Sequence, residues 1–460
     1  MPNSGNSDGG AIHFVGIAGA GMRALAELFA RRGLKVTGCD ANPSTAADLE
    51  RFGIEIIHGH SPDHLDGVSE LVVTSAMSKD NAEITRAREL GVPVTRRAEA
   101  LGRAVSGGRL VAIAGTHGKT TTTVMSTSAL SAAGLRPTGV VGGRVAAWES
   151  NLHYDSDDVF VVEADEYDRS FLALAPTVAV VTNMEADHLD IYRDLDDIRA
   201  TFSQFVKSAP FIVLCSDDEG AESIAVPNSA EVIRYGIESR DARLRASRVR
   251  AAGEGAAFTV SFDGKPLGEV ALRVPGIHNV QNALASIGAG LALGTTLDAM
   301  RSGLESFGGV ERRFQRLGDF AGVTIVDDYA HHPTEIAATL EAARSTFPGR
   351  RIIGAFQPHL FSRTRDFATE FGAVLCGADA VFLTDIYASR EKPLPGITSD
   401  LVSSVMKTAG HPVAWQGART ELAEALAHVV KPGDVVITIG AGDITLTGGE
   451  LKERLKSRAT

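Results

Sequence analysis

One short segment limits what this chain can fold into more than any other. Gly115-Thr-His-Gly-Lys-Thr-Thr-Thr follows the apolar run LVAIAG (110–115) and opens a helical pattern from Lys119 to about residue 133. A buried strand passing through a glycine turn into a helix aims successive backbone N–H groups at one spot, and the helix start adds partial positive charge there. Lys119 supplies a point charge, and the Thr120 hydroxyl can reach a magnesium ion. Gly115, Thr116, His117, Gly118, Lys119, Thr120 and Thr121 are therefore the candidate cradle for ATP. The spacing Gly-x-x-Gly-Lys-Thr is two residues shorter than the common phosphate-loop pattern, and a glycine turn that merely begins a helix is the plain alternative.

The rest of the chain reads as α/β units in series. At about 100–200 residues per domain, 460 residues predict three. The first, 1–107, opens with a strand (IHFVG, 12–16), a glycine turn, a helix through Arg32 and a strand ending at Asp40. Strands at 54–57 and 71–74 and a helix over 81–90 follow, which predicts a Rossmann-like parallel sheet covered by helices. The second, 108–311, holds the loop, strands near Val159 and Val178, and helices over 280–294 and 297–306. Within it, the alternation at 258–262 and the turn pair Asp263-Gly264 predict that 230–274 is an antiparallel appendage, with 251–257 as a hairpin loop. The third, 312–460, has strands at 323–326, 351–356, 380–383 and 435–439, with helices such as 334–346 between them.

Composition excludes several classes. A net charge of −12 with scattered Lys and Arg repels nucleic acid, so an anionic substrate must be held by local cations and backbone N–H groups. Cys39, Cys215 and Cys376 are odd in number and far apart, which argues against a disulfide framework and against a zinc site. Residues 1–10 are polar and read as a short disordered leader rather than a signal peptide, and no 18-residue apolar run appears, so a cytoplasmic protein with no membrane partner is expected. Monomer and homodimer both stay open.

Magnesium bound to phosphates needs one or two carboxylates at the end of a neighbouring strand. Glu163 closes the run VFVVE and heads the cluster Glu163, Asp165, Glu166 and Asp168, for which a solvated acidic loop is the bland reading. His188 follows another apolar strand and is a second metal candidate, or else a hydrogen-bonding loop histidine. Gly16, Gly19 and Gly21 read G-x-x-G-x-G, not the dinucleotide order, although Asp40 ends the next strand where a ribose-binding acid would lie; alone, they suggest an NAD-type site. His331 and His332 would point apart on an extended loop, and His332 is either a substrate contact or the cap of a helix begun by Pro333.

Taken in order, GIAGAGM (16–22), TSAMSKDNAEI (74–84), GTHGKTTTT (115–123), EADE (163–166), TNMEADHLDIY (182–192), GIHNVQNALA (276–285), ERRFQ (311–315), DDYAHHPTEI (327–336) and FQPHLFSRTRD (356–366) resemble the Mur ligases of peptidoglycan synthesis. The likeness runs from about Ile12 to the last strand. It implies a Rossmann-like first domain for a UDP-sugar, a central P-loop ATPase domain and a C-terminal α/β Rossmann-like ligase domain. It also implies that ATP and Mg²⁺ are used to join L-alanine to the carboxylate of UDP-N-acetylmuramate through an acyl phosphate. By this resemblance Gly16, Ala18, Gly19, Gly21, Met22, Asp40, Ser75 and Ala76 bind the UDP-sugar. Asn279 and Asn282 lie near adenine, Asp328 near the ribose and Arg313 near the phosphates. Thr120, Glu163 and His188 hold magnesium, His359, Arg363 and Arg365 bind the amino acid, and Lys119, His188, His332 and Arg363 are the catalytic candidates. Two departures stand out: 198–205 lacks the metal-bridging lysine of several relatives, and Leu360 replaces an arginine found in some. The competing readings are a ligase that attaches a recycled tripeptide to the same UDP-sugar and a nucleotide-operated switch that forms no bond.

Overall fold

The computed structural model describes residues 9–459 apart from 76, 79, 190, 253 and 390. Ala76 and most of the polar leader therefore lie outside the described residues. The chain divides into two compact units: one comprises 1–248, 258–270 and 281–307, and the other 249–257, 271–280 and 308–460.

The first unit holds a five-stranded, all-parallel sheet in the order Glu55–His58, Val36–Asp40, Ala11–Val15, Val68–Val73, Val94–Arg96. It also holds most of a ten-stranded sheet. The middle of that sheet runs Glu231–Gly236, Phe211–Cys215, Val178–Val181, Arg109–Ala114, Val159–Glu163, Thr138–Val145, parallel throughout, with Ser150–His153 antiparallel at one edge. Its central strands are buried along almost their whole length, as expected of a sheet covered on both faces. Each fully buried Val, Ile or Leu contributes roughly 1.5–3 kcal/mol.

The antiparallel appendage expected over 230–274 is corrected in its first part only: Gly255–Phe262 and Lys265–Leu272, neighbours in the sheet joined by a two-residue turn, do form a hairpin, but the stretch is not separate from the central sheet. Glu231–Gly236 pairs in parallel with Phe211–Cys215, and Leu244–Ala252 pairs in parallel with Glu231–Gly236, so this stretch continues the central sheet. Most of 251–257 is likewise strand rather than loop, since Leu244–Ala252 and Gly255–Phe262 take it up. Parallel pairing is set by long-range contacts that local alternation does not report. The turn itself is as read: Asp263 (φ 48) and Gly264 (φ 75) both have positive φ, the requirement of a two-residue type I′ hairpin.

The helix Lys119–Ala132 carries a run of threonines that on propensity alone disfavours a helix. Thr123 and Thr127 donate their hydroxyls to the carbonyls of Lys119 (2.9 Å) and Thr123 (2.8 Å), so these buried groups are satisfied within the helix. The helix Leu297–Ser306 packs on it at close range, because a Cβ at Gly303 would stand 2.2 Å from the Ser128 carbonyl oxygen.

The second unit centres on a six-stranded sheet in the order Gln315–Phe320, Val323–Asp328, Val435–Ile439, Ile352–Phe356, Ala380–Thr384, Trp415–Gly417, parallel except for the first strand. The segments 327–332, 356–359 and 384–387 all lie at the carboxyl ends of parallel strands, where open α/β sheets carry their ligand sites.

Gly303→Ala is expected to destabilise the first unit by about 1–3 kcal/mol through overpacking against backbone. The check is a urea titration, in which the midpoint should fall with unchanged slope; an unchanged midpoint would contradict the close helix contact.

Candidate active site

The glycine loop leaves the end of Arg109–Ala114, flanked by Val159–Glu163 on one side and Val178–Val181 on the other. Register places Glu163 opposite Ile113 and Val181 opposite Ala114, so both flanking strands end beside the loop. Only glycine fits its first position: Gly115 has φ +139, and a Cβ there would meet Thr182 Oγ1 at 2.0 Å. Gly118, at φ +80, would bring a Cβ to 2.6 Å from Asn282 Oδ1.

Asn183 clamps the turn between these glycines. Its carbonyl accepts from Thr116 N (3.2 Å), its Oδ1 from His117 N (2.8 Å), and the Glu185 N–H donates to Thr116 Oγ1 (2.9 Å). The amides of Thr116 and His117 are thus committed to the scaffold. The groups left to face an anion are the first N–H groups of the helix, from Lys119 onward, which have no acceptor within it. Asn282, expected near adenine, accepts from the Thr122 hydroxyl (3.0 Å) and backs this helix start.

Charge at the loop is arranged in pairs. Lys119 Nζ donates to the carbonyls of Gly115 (2.6 Å) and Thr116 (3.1 Å) and to Glu166 Oε1 (2.9 Å). Burial favours the neutral amine, but Glu166, Asp165 and Glu163 outweigh it and hold Lys119 above the ordinary lysine value. Burial would push Glu166 up, yet Lys119 and His188 keep it below the usual carboxylate range. His188 Nε2 lies 3.6 Å from Glu166 Oε1 and 3.8 Å from Asp187; burial opposes its charge, and these carboxylates raise it above the usual imidazole value. Glu166 is the residue the sequence reading passed over in favour of Glu163; its place three residues beyond that glutamate was the available signal.

Glu163 accepts from the Thr120 hydroxyl (2.9 Å) through Oε1 and from Gly142 N (2.7 Å) through Oε2. Burial raises its pKa against the pull of the Gly142 amide, Lys119 and Thr120. Two oxygen donors 2.9 Å apart at the mouth of an anion cradle suit magnesium, which takes oxygen ligands and keeps several waters.

At the first glycine turn, Gly16 has φ +80 and donates to the Cys39 carbonyl (2.8 Å), and Gly19 N donates to the Gly16 carbonyl (3.1 Å). Asp40 braces this turn, accepting from Ala18 N (3.1 Å) and Asn42 N (2.9 Å). A Cβ at Gly21 would come 2.9 Å from the Arg97 guanidinium, Met22 is buried and Ser75 is exposed.

In the second unit, Asp328 accepts from Phe314 N and Ala330 N, both at 2.7 Å. Burial outweighs these bonds and nearby Arg313 and pushes its carboxyl up to about 6. Arg313 stacks over the Tyr329 ring (5.1 Å) and approaches Glu335 (3.4 Å). Asn279 donates to the Pro275 carbonyl (2.6 Å) and lies 3.1 Å from His278 Nε2. His332 caps the helix Pro333–Thr346 in a box with Glu335, and its ring packs on Phe367 (4.9 Å), whereas His331 turns toward His359 (6.0 Å). His359 stacks on Tyr387 (5.9 Å). Arg363 is buried, whereas Arg365 is largely exposed and paired with Asp366 (2.7 Å), so helix rotation separates the two arginines offered as candidates for the amino acid.

Residues 11–109, 113–290 and 312–442 match, in turn, the Mur ligase family catalytic domain, the Mur ligase middle domain and the Mur ligase glutamate ligase domain. The chain is 45% identical over 458 residues to the UDP-N-acetylmuramate–L-alanine ligase of Acidothermus cellulolyticus, covering 98% of this chain and 96% of the relative. It is 43% identical to that of Salinibacter ruber, covering 94% and 92%. Among solved structures, the UDP-N-acetylmuramate-alanine ligase of Thermotoga maritima superposes with a TM-score of 0.82 at 30% identity, covering 98% of this chain and all of the other. A murein peptide ligase from Psychrobacter arcticus superposes at 0.71 with 26% identity, covering 97% and 99%. With three consecutive domains matched and close relatives spanning nearly its full length, this chain belongs to the Mur ligase family.

Proposed function

We propose that this chain is the ligase that uses ATP to join L-alanine to the carboxylate of UDP-N-acetylmuramate, releasing ADP and phosphate in the cytoplasm. The observation that carries the reading is the loop at Gly115, where a charged lysine, a helix start and the Thr120–Glu163 pair converge. In support of the cytoplasmic setting, no helix among the described residues is long and apolar enough to cross a membrane.

A carboxylate does not acylate an amine at neutral pH, since oxide would have to leave. A muramate carboxylate oxygen attacks the γ-phosphorus of ATP in line, forming a carbonyl–O–P link as the bond to ADP breaks. The alanine nitrogen then attacks the carbonyl carbon, a C–N bond forms, and phosphate departs with the electrons of the C–O bond. Lys119 stabilises charge on the transferring group after exchanging Glu166 for phosphate oxygens. Thr120 and Glu163, with His188 as a further candidate in its neutral form, are the residues that would hold Mg²⁺, which when bound neutralises charge on the phosphate oxygens.

The remaining assignments follow the same reading. Residues 1–107 take the UDP-sugar through Gly16, Ala18, Gly19, Gly21, Met22, Asp40, Ser75 and Ala76. Residues 108–311 carry the ATP loop, and 312–460 the amino acid through His359 and Arg363. Asn279, Arg313 and Asp328 serve adenine, phosphate and ribose. Because Glu166 and Asp187 raise the pKa of His188, and His332 Nδ1 accepts from Thr334 N (3.4 Å), each must give up a partner before accepting the amine's proton.

Three outcomes are expected. Phosphate release should require both UDP-N-acetylmuramate and an amine, with L-alanine preferred over a tripeptide; release without the UDP-sugar would point to a switch, and tripeptide preference to the recycling ligase. Lys119→Ala should lower turnover by at least about a hundredfold while leaving UDP-N-acetylmuramate binding nearly unchanged, and near-normal turnover would remove the loop assignment. Asp328 has a pH signature of definite sign: with its folded pKa raised, its contribution to stability falls as pH rises from about 4 to about 6, and only above about 6 is it a pure acceptor for ribose hydroxyls. Affinity for an ATP analogue should therefore drop more between pH 7 and pH 5 in the parent than in Asp328→Asn; equal drops would refute the ribose role.

A further inference from the structure

Beneath the first glycine turn lies a cluster that the ligation chemistry does not use. Ala11–Val15 and Val36–Asp40 run in parallel with His13 opposite Thr37, so His13, Thr37 and Cys39 share one face of the sheet. The helix Ala82–Leu90 brings Glu83 to that face from its first turn, where Asn81 Oδ1 accepts from Glu83 N (2.8 Å), and the single turn Pro62–Leu65 adds His64. One donor atom from each of His13, Cys39, His64 and Glu83 lies within 4.8 Å of every other. Glu83 Oε1 is 2.7 Å from His64 Nδ1, 3.0 Å from Cys39 Sγ and 3.7 Å from His13 Nε2. Apolar Val15, Leu65, Leu71, Val73, Ile84 and Ala87 form one buried cluster with Cys39.

Two features separate this cluster from an ordinary hydrogen-bond network. A buried carboxylate is normally matched by Arg or Lys. Glu83 is fully buried, and among the described residues its side-chain partners are imidazoles and a thiol, the ligand types zinc draws upon. The second feature is His13, also fully buried: its Nδ1 is 2.7 Å from Thr37 Oγ1, while among the described residues its Nε2 has no hydrogen-bond partner. At 3.7 Å, Nε2 is too far from Glu83 for a hydrogen bond. In the tautomer that donates Nδ1–H to Thr37, the Nε2 lone pair faces a carboxylate, an arrangement that a cation between them would resolve. A ring held through its other nitrogen is also how a ligating histidine is oriented.

We propose that His13 Nε2, Cys39 Sγ, His64 Nδ1 and Glu83 Oε1 form a four-ligand site for Zn²⁺ in the first domain. Tetrahedral zinc with bonds of about 2.0–2.3 Å sets its ligand atoms about 3.3–3.8 Å apart. The three separations from Glu83, 2.7, 3.0 and 3.7 Å, reach that range with small side-chain shifts, and the other ligand atoms lie within 4.8 Å of one another. His60 and His64 are partly exposed and mark the route of entry. On binding, the Cys39 S–H bond breaks, the sulfur lone pair forms the metal bond and the proton leaves to solvent. Because that proton is released on binding, affinity for the metal falls as pH falls. The Cys39 carbonyl accepts from Gly16 N (2.8 Å) and Ile17 N (3.1 Å), so metal on this residue stiffens the base of the first glycine turn. The four residues are scattered in sequence, at 13, 39, 64 and 83, a grouping that cysteine spacing alone does not report.

The test uses the full chain, reduced, stripped with a chelator and free of nucleotide and magnesium, titrated with Co²⁺. One equivalent should bind with a thiolate-to-cobalt charge-transfer band and the intense visible bands of four-coordinate cobalt, both abolished by Zn²⁺. Cys39→Ser should lose the charge-transfer band with an unchanged circular dichroism spectrum, and His64→Asn, at a partly exposed position, should weaken binding about a hundredfold. A parent chain without the thiolate band, a band that survives Cys39→Ser, or His64→Asn binding as tightly as the parent would each overturn the site. None of these readouts depends on ligase activity.

Discussion

The amine of Lys119 and the carboxylate of Glu166, 2.9 Å apart and both nearly withdrawn from water, are the pair on which the central domain is arranged. Neither charge is tolerable alone at that depth: removing one partner of a buried pair costs about 3–5 kcal/mol because the other is stranded. The pair therefore constrains its surroundings. The loop carbonyls of Gly115 and Thr116 complete the shell of the lysine, and Tyr192 donates its hydroxyl to the Glu166 carbonyl (2.6 Å), fixing the segment after Val159–Glu163. A triphosphate offers Lys119 oxygens of higher charge than Glu166 does, so the resting pair keeps the cation in place for exchange.

That arrangement is possible because three adjacent parallel strands end together. Arg109–Ala114 delivers the loop, Val159–Glu163 delivers Glu163 and Glu166, and Val178–Val181 delivers Asn183 and His188. Gly115 and Gly118 allow the backbone to pass so close to Thr182 and Asn282 that any side chain would collide. The shorter spacing of the loop is consistent with this bracing from outside, since Asn183 takes up amides that a longer loop would turn toward the phosphates.

What could be read from the residues in advance was whatever local chemistry dictates. The strand–glycine–helix unit, the helix Leu297–Ser306, the I′ pair Asp263-Gly264 and the strand-end position of Glu163 all depend on neighbours close in sequence. The cap role of His332, weighed against substrate contact, follows from Pro333 beside it. Features that neighbours in sequence do not report share the opposite property. Parallel pairing of Glu231–Gly236 with Phe211–Cys215, the inward turn of Glu166, the separation of Arg363 from Arg365 and the convergence of His13, Cys39, His64 and Glu83 are products of tertiary packing, invisible to periodicity or spacing.

The central claim is that the turn at Gly115 to Thr121 holds the terminal phosphates of ATP, with Lys119 released from Glu166. A crystal structure with magnesium and a non-hydrolysable ATP analogue tests it most directly. β- and γ-phosphate oxygens are expected on the amides from Lys119 onward, the lysine amine moved from Glu166 to the phosphates, and the metal on Thr120 and Glu163. A nucleotide seated elsewhere, with the Lys119–Glu166 pair intact, would contradict it.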